Sequence, residues 1–457
     1  MSGAGGGHLF DRWRSSGREV AVVGLGKSGV SATLLLRSRG IPVYASDSGS
    51  GPTFEAWART LREAGAEVEL GGHSLERITK AASVVVAPGV PPDVPALEAA
   101  RRANVDIHAE VDIGFVALRG TRCIGITGTN GKTTTTSLIS HVLASAGVRA
   151  ETAGNIGRPL CDVARSSNPP DWLALELSSF QLHDAPNLKP AIGVLTNLAP
   201  NHLDRYATLA EYYGDKSLLF RNADASSVWV TNADDPEVEA MTRSILGDRV
   251  RFSILSRADA WYDRAGGRLM LADTAVLRRA ELPLLGDHNV ANALAAVLVA
   301  SRAGCAAQDM AGGLRSFRAI PHRVEPVREV NGVLWINDSK STNITSTEVA
   351  VAALDRSFVL LLGGRHKGEP YSRLAQPLRD RCRAVVAYGE AGPLIVADLS
   401  HSLRVVPAQS FTDVLATARD LAQPGDAVLL SPACSSYDMF RNYEERGDRF
   451  RAAVQAL

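Results

Sequence analysis

The stretch CIGITGTNGKTTTT, residues 123–136, sets a glycine-rich turn after a β-branched run and ahead of a predicted helix. A strand, a glycine loop and a helix together aim backbone N–H groups and the positive end of the helix at phosphate. Lys132 and Thr133 follow Gly131 directly. An ammonium there can neutralise β- and γ-phosphate oxygens, while a hydroxyl at the helix start can ligate the magnesium that bridges them. The strict spelling G-x-x-x-x-G-K-[ST] would need glycine at 126, where Ile126 stands; the glycines are Gly125, Gly128 and Gly131. This is a variant P-loop, and it predicts ATP on Gly128, Thr129, Asn130, Gly131, Lys132, Thr133 and Thr134. Within the threonine run only Thr133 has metal-ligand spacing.

A hundred residues earlier, VAVVGLGKSGVSA (residues 20–32) carries a complete G-x-G-x-x-G at Gly24, Gly26 and Gly29, and Asp47 ends the next strand-like run. That arrangement suits a dinucleotide, with Asp47 on a ribose hydroxyl. It also suits a plain strand-to-helix turn. An NAD-dependent oxidoreductase or a nucleotide-gated binding protein is the alternative built on this loop, although hydride transfer needs neither Lys132 nor acidic metal ligands.

At 457 residues the chain exceeds one ordinary core, and about 150 residues per domain suggests roughly three domains. Its 49 basic and 49 acidic residues cancel, so no overall field favours nucleic acid or an anionic membrane. Five cysteines, widely spaced and without C-x-x-C pairs, suggest a reducing compartment and no structural zinc. The start MSGAGGGHLFDRWRSSGREV has no apolar core of a signal peptide, and no long apolar run predicts a membrane span. A cytoplasmic enzyme is expected.

Short β-branched runs alternate with helical stretches from end to end, the pattern of α/β domains with parallel sheets. They fall into three series. VAVV (20–23), PVYASD (42–47) and SVVVAPG (83–89) form the first; WLALELSSF (172–180), AIGVLTN (191–197) and SVWVTNADD (227–235) belong to the second. VLWINDSK (333–340), FVLLLGG (358–364), AVVAYG (384–389) and AVLLSPACSS (427–436) form the third. Joints near Glu110 and Ala319 give expected domains of 1–110, 111–319 and 320–457. No fixed-period repeat indicates a solenoid.

GITGTNGKTT (125–134) resembles the ATP loop of the Mur ligases, which extend the peptide of peptidoglycan precursors by ATP-driven amide formation. GNIG (154–157), LELSSFQL (175–182), NHLDRY (201–206), GDHNVANALAA (286–296), PHRVE (321–325), NDSKSTN (337–343) and LLSPACSSYDMFRNYEERG (429–447) match that family in order. The motifs are most similar to the branch that adds D-glutamate to UDP-N-acetylmuramoyl-L-alanine. Another Mur ligase or a folylpolyglutamate-type synthetase is the neighbouring reading. The resemblance implies a Rossmann-like UDP-binding domain, a central P-loop ATPase-like domain and a Rossmann-like C-terminal domain. It implies ATP and two magnesium ions, those two substrates, no nucleic acid or membrane partner, and a monomer.

Amide formation in water needs an activated acyl group, so the site must hold a carboxylate against the anionic γ-phosphate, and cations must stand between them. Glu176 lies at the end of WLALE, where an unpaired carboxylate on a central strand would be costly, so a metal or cation is expected beside it. The resemblance makes Glu176 a magnesium ligand with Thr133, and His202 a ligand of a second ion. Lys216 in EYYGDKSLLF reads as an ordinary surface lysine, but the resemblance implies that it carries a carbamate that binds metal. Carbamylation needs a depressed lysine pKa, because only the neutral amine attacks carbon dioxide. Lys132, Glu176, His202 and Lys216 are the expected catalytic group.

With ATP assigned to the second loop, the first is expected to seat the uridine diphosphate on Gly26, Lys27, Ser28 and Gly29, with Asp47 and Ser48 near the uridine and Pro88 and Gly89 completing the pocket. Asn155, Ser178 and His202 are expected near the sugar-peptide, and Asn292, Arg323 and Asp338 around ATP. D-Glutamate presents two carboxylates, for which lysines and hydroxyls are apt. The resemblance assigns Lys340, Thr342, Lys367, Ser436, Tyr437 and Tyr443. GGRHKG departs from a frequent acidic spelling at Arg365 and His366, and Tyr437 and Tyr443 stand where apolar or phenylalanine side chains are common.

Overall fold

The computed structural model describes residues 6–118, 120–201 and 205–457. The chain divides into two compact units, one of residues 1–281 and 291–315, the other of 282–290 and 316–457. The first unit holds two sheets and the second holds one.

The first sheet comprises β1 (Val20–Val23), β2 (Val43–Asp47), β3 (Glu67–Leu70), β4 (Ser83–Val86) and β5 (Ile107–Ala109). Its strands are parallel in the order β3, β2, β1, β4, β5. β1 and β4 are buried at every position, which accounts for their valine-rich spelling. The helix Lys27–Ser38 starts inside the glycine loop. A Cβ on Gly29 would sit 1.8 Å from the carbonyl oxygen of Gly24, so the third glycine is required by the close approach of helix to strand.

The second sheet comprises β6 (Arg122–Thr127), β7 (Ala150–Gly154), β8 (Trp172–Glu176), β9 (Ile192–Leu195), β10 (Val228–Asn232), β11 (Asp248–Ser253), β12 (Ala260–Asp263), β13 (Arg268–Leu271) and β14 (Thr274–Arg278). β6, which feeds the P-loop, lies between β8 and β9, both parallel to it. β12, β13 and β14 are antiparallel, unlike the all-parallel pattern expected. The hairpin between β12 and β13 turns at Gly266 and Gly267, where Asp263 accepts from the Gly266 N–H at 3.0 Å. Such a glycine pair between alternating runs is a hairpin signal, set within a chain whose other strands alternate with helices.

The third sheet comprises β15 (Glu325–Val330), β16 (Val333–Asn337), β17 (Phe358–Gly363), β18 (Cys382–Tyr388), β19 (Val405–Pro407) and β20 (Ala427–Leu430), in the order β15, β16, β20, β17, β18, β19. β15 pairs antiparallel with β16, and the remaining pairings are parallel. Among the described residues no helix is long and apolar enough to cross a membrane.

Where the first two sheets meet, Glu110 is fully buried. One of its oxygens accepts from the Cys161 N–H at 2.7 Å, and the other has no hydrogen-bond partner among the described residues. Burial pushes its pKa up to about 7 from an ordinary 4.5. Between those values the folded chain binds a proton that the unfolded chain has released. Stability therefore falls as pH rises through this window, by up to about 3 kcal/mol. Urea unfolding of Glu110→Gln is expected to lose that slope and to exceed wild type in stability above pH 7.

Candidate functional site

At the carboxyl ends of β1, β2 and β4 lies a cleft of about 450 Å³. It brings together Gly26, Lys27 and Ser28 from the glycine loop, Asp47 and Ser48 from β2, Pro88 and Gly89 from β4, and Asn155 from the loop after β7. Gly29 packs beneath it as the close-contact glycine. Asp47 holds the rim together: its carboxylate accepts from the Leu25 N–H at 2.6 Å and the Gly49 N–H at 2.7 Å. His73, which the sequence reading missed, also lines the cleft.

The P-loop is tied down from β9. Thr129 N–H donates to the Asn197 carbonyl at 2.9 Å, and the Asn197 side chain pairs with both backbone groups of Asn130 at 2.9 Å. Thr196 donates to the Asn130 carbonyl at 2.7 Å. Neither residue carried a sequence signal, because their role depends on β6 and β9 being neighbours. Gly128 and Gly131 have φ of +146° and +79°, conformations open to glycine. Gly131 also lies against Asn292, where a Cβ would come within 2.6 Å of the amide oxygen. That oxygen accepts from Thr135 at 3.1 Å, so Asn292 braces the helix that the loop begins. Thr133 and Thr134 stand half-buried in the first turn of this helix, Lys132–Ser145.

Two lysines converge on the loop. Lys132 Nζ donates to the carbonyls of Gly128 and Thr129, both at 2.9 Å, and Lys216 Nζ donates to Gly128 at 2.8 Å. Lys216 is buried, contrary to its surface-like spelling, because the helix Leu209–Ser217 turns that face onto the loop. Burial and then the neighbouring Lys132 charge push its pKa down to about 6, against the pull of Asp215. Its Nζ also lies 4.6 Å from the centre of the Tyr212 ring.

Glu176 ends β8, opposite Ile126 of β6, and is buried. One carboxylate oxygen accepts from Asn155 Nδ2 at 2.9 Å, and the other is buried without a hydrogen-bond partner among the described residues. A hard cation suits that oxygen. Asn155 thus joins the cleft to Glu176. Ser178 caps the helix Ser179–His183 through reciprocal bonds with Gln181. The predicted ligand His202 lies outside the described residues. Among those described, no three His, Cys, Asp or Glu side chains form a metal-binding group.

In the second unit, Asp338 is buried, accepting from Val324 N–H at 3.0 Å and Ser431 Oγ at 2.7 Å, and burial pushes its pKa up to about 6. His322 and Val324, on either side of Arg323, have φ of +66° and +43°. Positive φ is especially unfavourable for a β-branched residue. Asp338 thereby fixes a strained turn that presents the half-buried Arg323. Lys340 Nζ lies 3.9 Å from the centre of the Tyr443 ring, and Lys367 Nζ donates to Thr342 Oγ1 at 3.3 Å. Ser436 is buried, whereas the next residue, Tyr437, is 64% exposed. The departures at Arg365 and His366 are taken up by local partners: Arg365 pairs with Glu390 at 3.0 Å and His366 with the Tyr371 hydroxyl at 3.0 Å. Arg446, also missed from sequence, is fully buried and donates to the carbonyls of Ser339 and Cys434.

The site combines a P-loop on which two lysines converge, a buried carboxylate on the neighbouring strand β8 and a second glycine-loop cleft, features of a nucleotide-handling α/β enzyme. Residues 18–109 match the Mur ligase MurD-like N-terminal domain, residues 126–300 the Mur ligase middle domain, and residues 322–434 the Mur ligase glutamate ligase domain. The chain is 38% identical over 451 residues to the UDP-N-acetylmuramoylalanine–D-glutamate ligase of Myxococcus xanthus (strain DK1622), covering 97% of this chain and 99% of that one. It is 40% identical over 457 residues to the enzyme of the same name from Salinibacter ruber (strain DSM 13855 / M31), covering 96% and 98%. The solved UDP-N-acetylmuramate–alanine ligase of Thermotoga maritima shares the fold with a TM-score of 0.59 at 21% identity, over 96% of this chain and 99% of that one. This chain belongs to the Mur ligase family, which sets aside the oxidoreductase built on GLGKSG. Asn197→Ala removes two hydrogen bonds to the ATP loop, about 2 kcal/mol in total. It is expected to weaken ADP binding at least tenfold by calorimetry and to leave UDP binding unchanged.

Proposed function

We propose that the chain joins D-glutamate to UDP-N-acetylmuramoyl-L-alanine with ATP, in peptidoglycan precursor synthesis. The observation that carries this is the full-length likeness to D-glutamate ligases, together with a P-loop cradle and a separate phosphate-suited cleft. In this reading the chain divides at 110 and 319 into a UDP-substrate domain (1–110), an ATP domain (111–319) and an amino-acid domain (320–457). The three sheets and the three family matches support that division. We take the enzyme to be a cytoplasmic monomer with neither nucleic acid nor membrane as partner.

The alanyl carboxylate oxygen attacks the γ-phosphorus of ATP, the bond to the β-phosphate oxygen breaks, and ADP and an acyl phosphate result. The amine of D-glutamate then attacks the acyl carbon, the tetrahedral intermediate expels phosphate, and the nitrogen gives up a proton to leave the amide. Lys132 and the amides of 128–131 hold the phosphates. Asn292, Arg323 and Asp338 complete the ATP site directly or by bracing it. Gly26 to Gly29, Asp47, Ser48, Pro88 and Gly89 take the uridine diphosphate, with Asn155, Ser178 and His202 toward the sugar-peptide. Lys340, Thr342, Lys367, Ser436, Tyr437 and Tyr443 take D-glutamate, whose carboxylates suit the two lysines.

Thr133, Glu176, His202 and a carbamylated Lys216 would hold two magnesium ions, which offset the charge between carboxylate and phosphate when bound. The partnerless oxygen of Glu176 fits this assignment. So does Lys216, whose depressed pKa leaves a neutral amine near pH 7.

Purified enzyme is expected to release phosphate from ATP only with both substrates present, and with D- but not L-glutamate; equal turnover with L-glutamate would overturn the reading. Lys132→Ala is expected to lower kcat about a hundredfold or more. Below about pH 6 the Lys216 amine takes up a proton and cannot capture carbon dioxide. In buffer depleted of carbon dioxide, activity is therefore expected to fall as pH drops through that value and to recover with bicarbonate at pH 8. Lys216→Arg should show no bicarbonate response.

A further inference from the structure

His73 follows β3, and its imidazole lines the same cleft as the glycine loop. Its Nδ1 is held at 2.8 Å by the hydroxyl of Ser46, which is fully buried on β2. The ring is therefore oriented by the sheet, while Nε2 has no hydrogen-bond partner among the described residues and is not a buried unpartnered atom. Burial keeps the pKa of the imidazole below its ordinary value despite the pull of Asp47 and Glu69. The ring is accordingly neutral near pH 7, and Nε2 is free to form one hydrogen bond in the cleft.

The order of strands indicates what that bond meets. Across the sheet the cleft residues run from His73 at β3, through Asp47 and Ser48 at β2, to Gly26–Ser28 at β1, and on to Pro88 and Gly89 at β4. Adjacent strands are about 4.8 Å apart, so the β3 exit lies about 10 Å from the glycine loop. That is the reach of a nucleoside from its diphosphate. Asn155, from the loop after β7 of the second sheet, also lines the cleft. Asp47 already uses its oxygens on Leu25 and Gly49, and Ser48 is exposed at the rim.

We propose that His73 reads the nucleobase of the substrate, forming through Nε2 a hydrogen bond to the edge of uracil. The proposal rests on the seating of the uridine diphosphate in this cleft. Uracil offers two carbonyl acceptors and an N–H between them. Cytosine replaces one carbonyl with an amino donor and the N–H with an acceptor. A singly protonated imidazole whose Nδ1 is fixed by Ser46 offers Nε2 in one role, so it matches one pattern better than the other.

Calorimetry of UDP and CDP against full-length wild type, His73→Ala and His73→Gln tests this, with ADP binding as the check on folding. Wild type is expected to prefer UDP. His73→Ala is expected to bind UDP about tenfold more weakly, the worth of one good hydrogen bond, and to lose most of the preference over CDP. His73→Gln should recover part of the affinity. In steady state the KM for the UDP substrate should rise and that for D-glutamate stay unchanged. A His73→Ala protein that binds ADP normally and keeps the wild-type UDP-to-CDP ratio would overturn the proposal. Absence of UDP binding by wild type would instead overturn the seating on which it rests.

Discussion

The carbonyl oxygen of Gly128 accepts hydrogen bonds from the side-chain nitrogens of two lysines, and the chemistry proposed for the site depends on that convergence. Like charges placed side by side in a buried site repel, and this repulsion adds to burial in depressing Lys216. The loop is thus prepared for anions before any arrive. In the proposed function, ATP phosphates would draw Lys132 away from the loop carbonyls, and conversion of Lys216 to an anion would turn the repulsion into attraction. In that proposal one buried contact would link phosphate binding, metal binding and acyl activation.

The sheets supply the precision this requires. β6 delivers the loop between β8, which ends in Glu176, and β9, whose exit clamps Asn130 through Asn197. Asn155 grips Glu176 from the end of β7 and reaches the cleft of the first sheet. In the proposed reaction the reacting carboxylate lies at the far end of a long nucleotide-sugar. Holding that ligand by its diphosphate and positioning the other end at the P-loop is a means of converting binding into orientation.

Much of this was legible in the chain, and what was not has a physical reason. Glycine loops declare themselves because only glycine allows the backbone to turn and the helix to approach: Gly29 and Gly131 each face an atom closer than a Cβ could tolerate. Buried parallel strands declare themselves by unbroken β-branched runs. Lys216, Asn197 and His73 are silent because their roles arise from neighbours distant in sequence: the Gly128 carbonyl, the Asn130 backbone and the Ser46 hydroxyl. Arg446 is hidden in the same way among the charged residues of its helix, although it is fully buried. The antiparallel β12–β14 segment was legible in its Gly266–Gly267 turn but did not fit the crossover pattern being followed.

The central claim is that the loop with two lysines activates a carboxylate by phosphorylating it. Its most direct test follows the oxygen atoms, using UDP-N-acetylmuramoyl-L-alanine whose alanyl carboxylate carries heavy oxygen. Mass spectrometry of the phosphate released during turnover with ATP and D-glutamate is predicted to show one heavy oxygen transferred per amide formed. Phosphate free of the label, with amide still produced, would contradict the account.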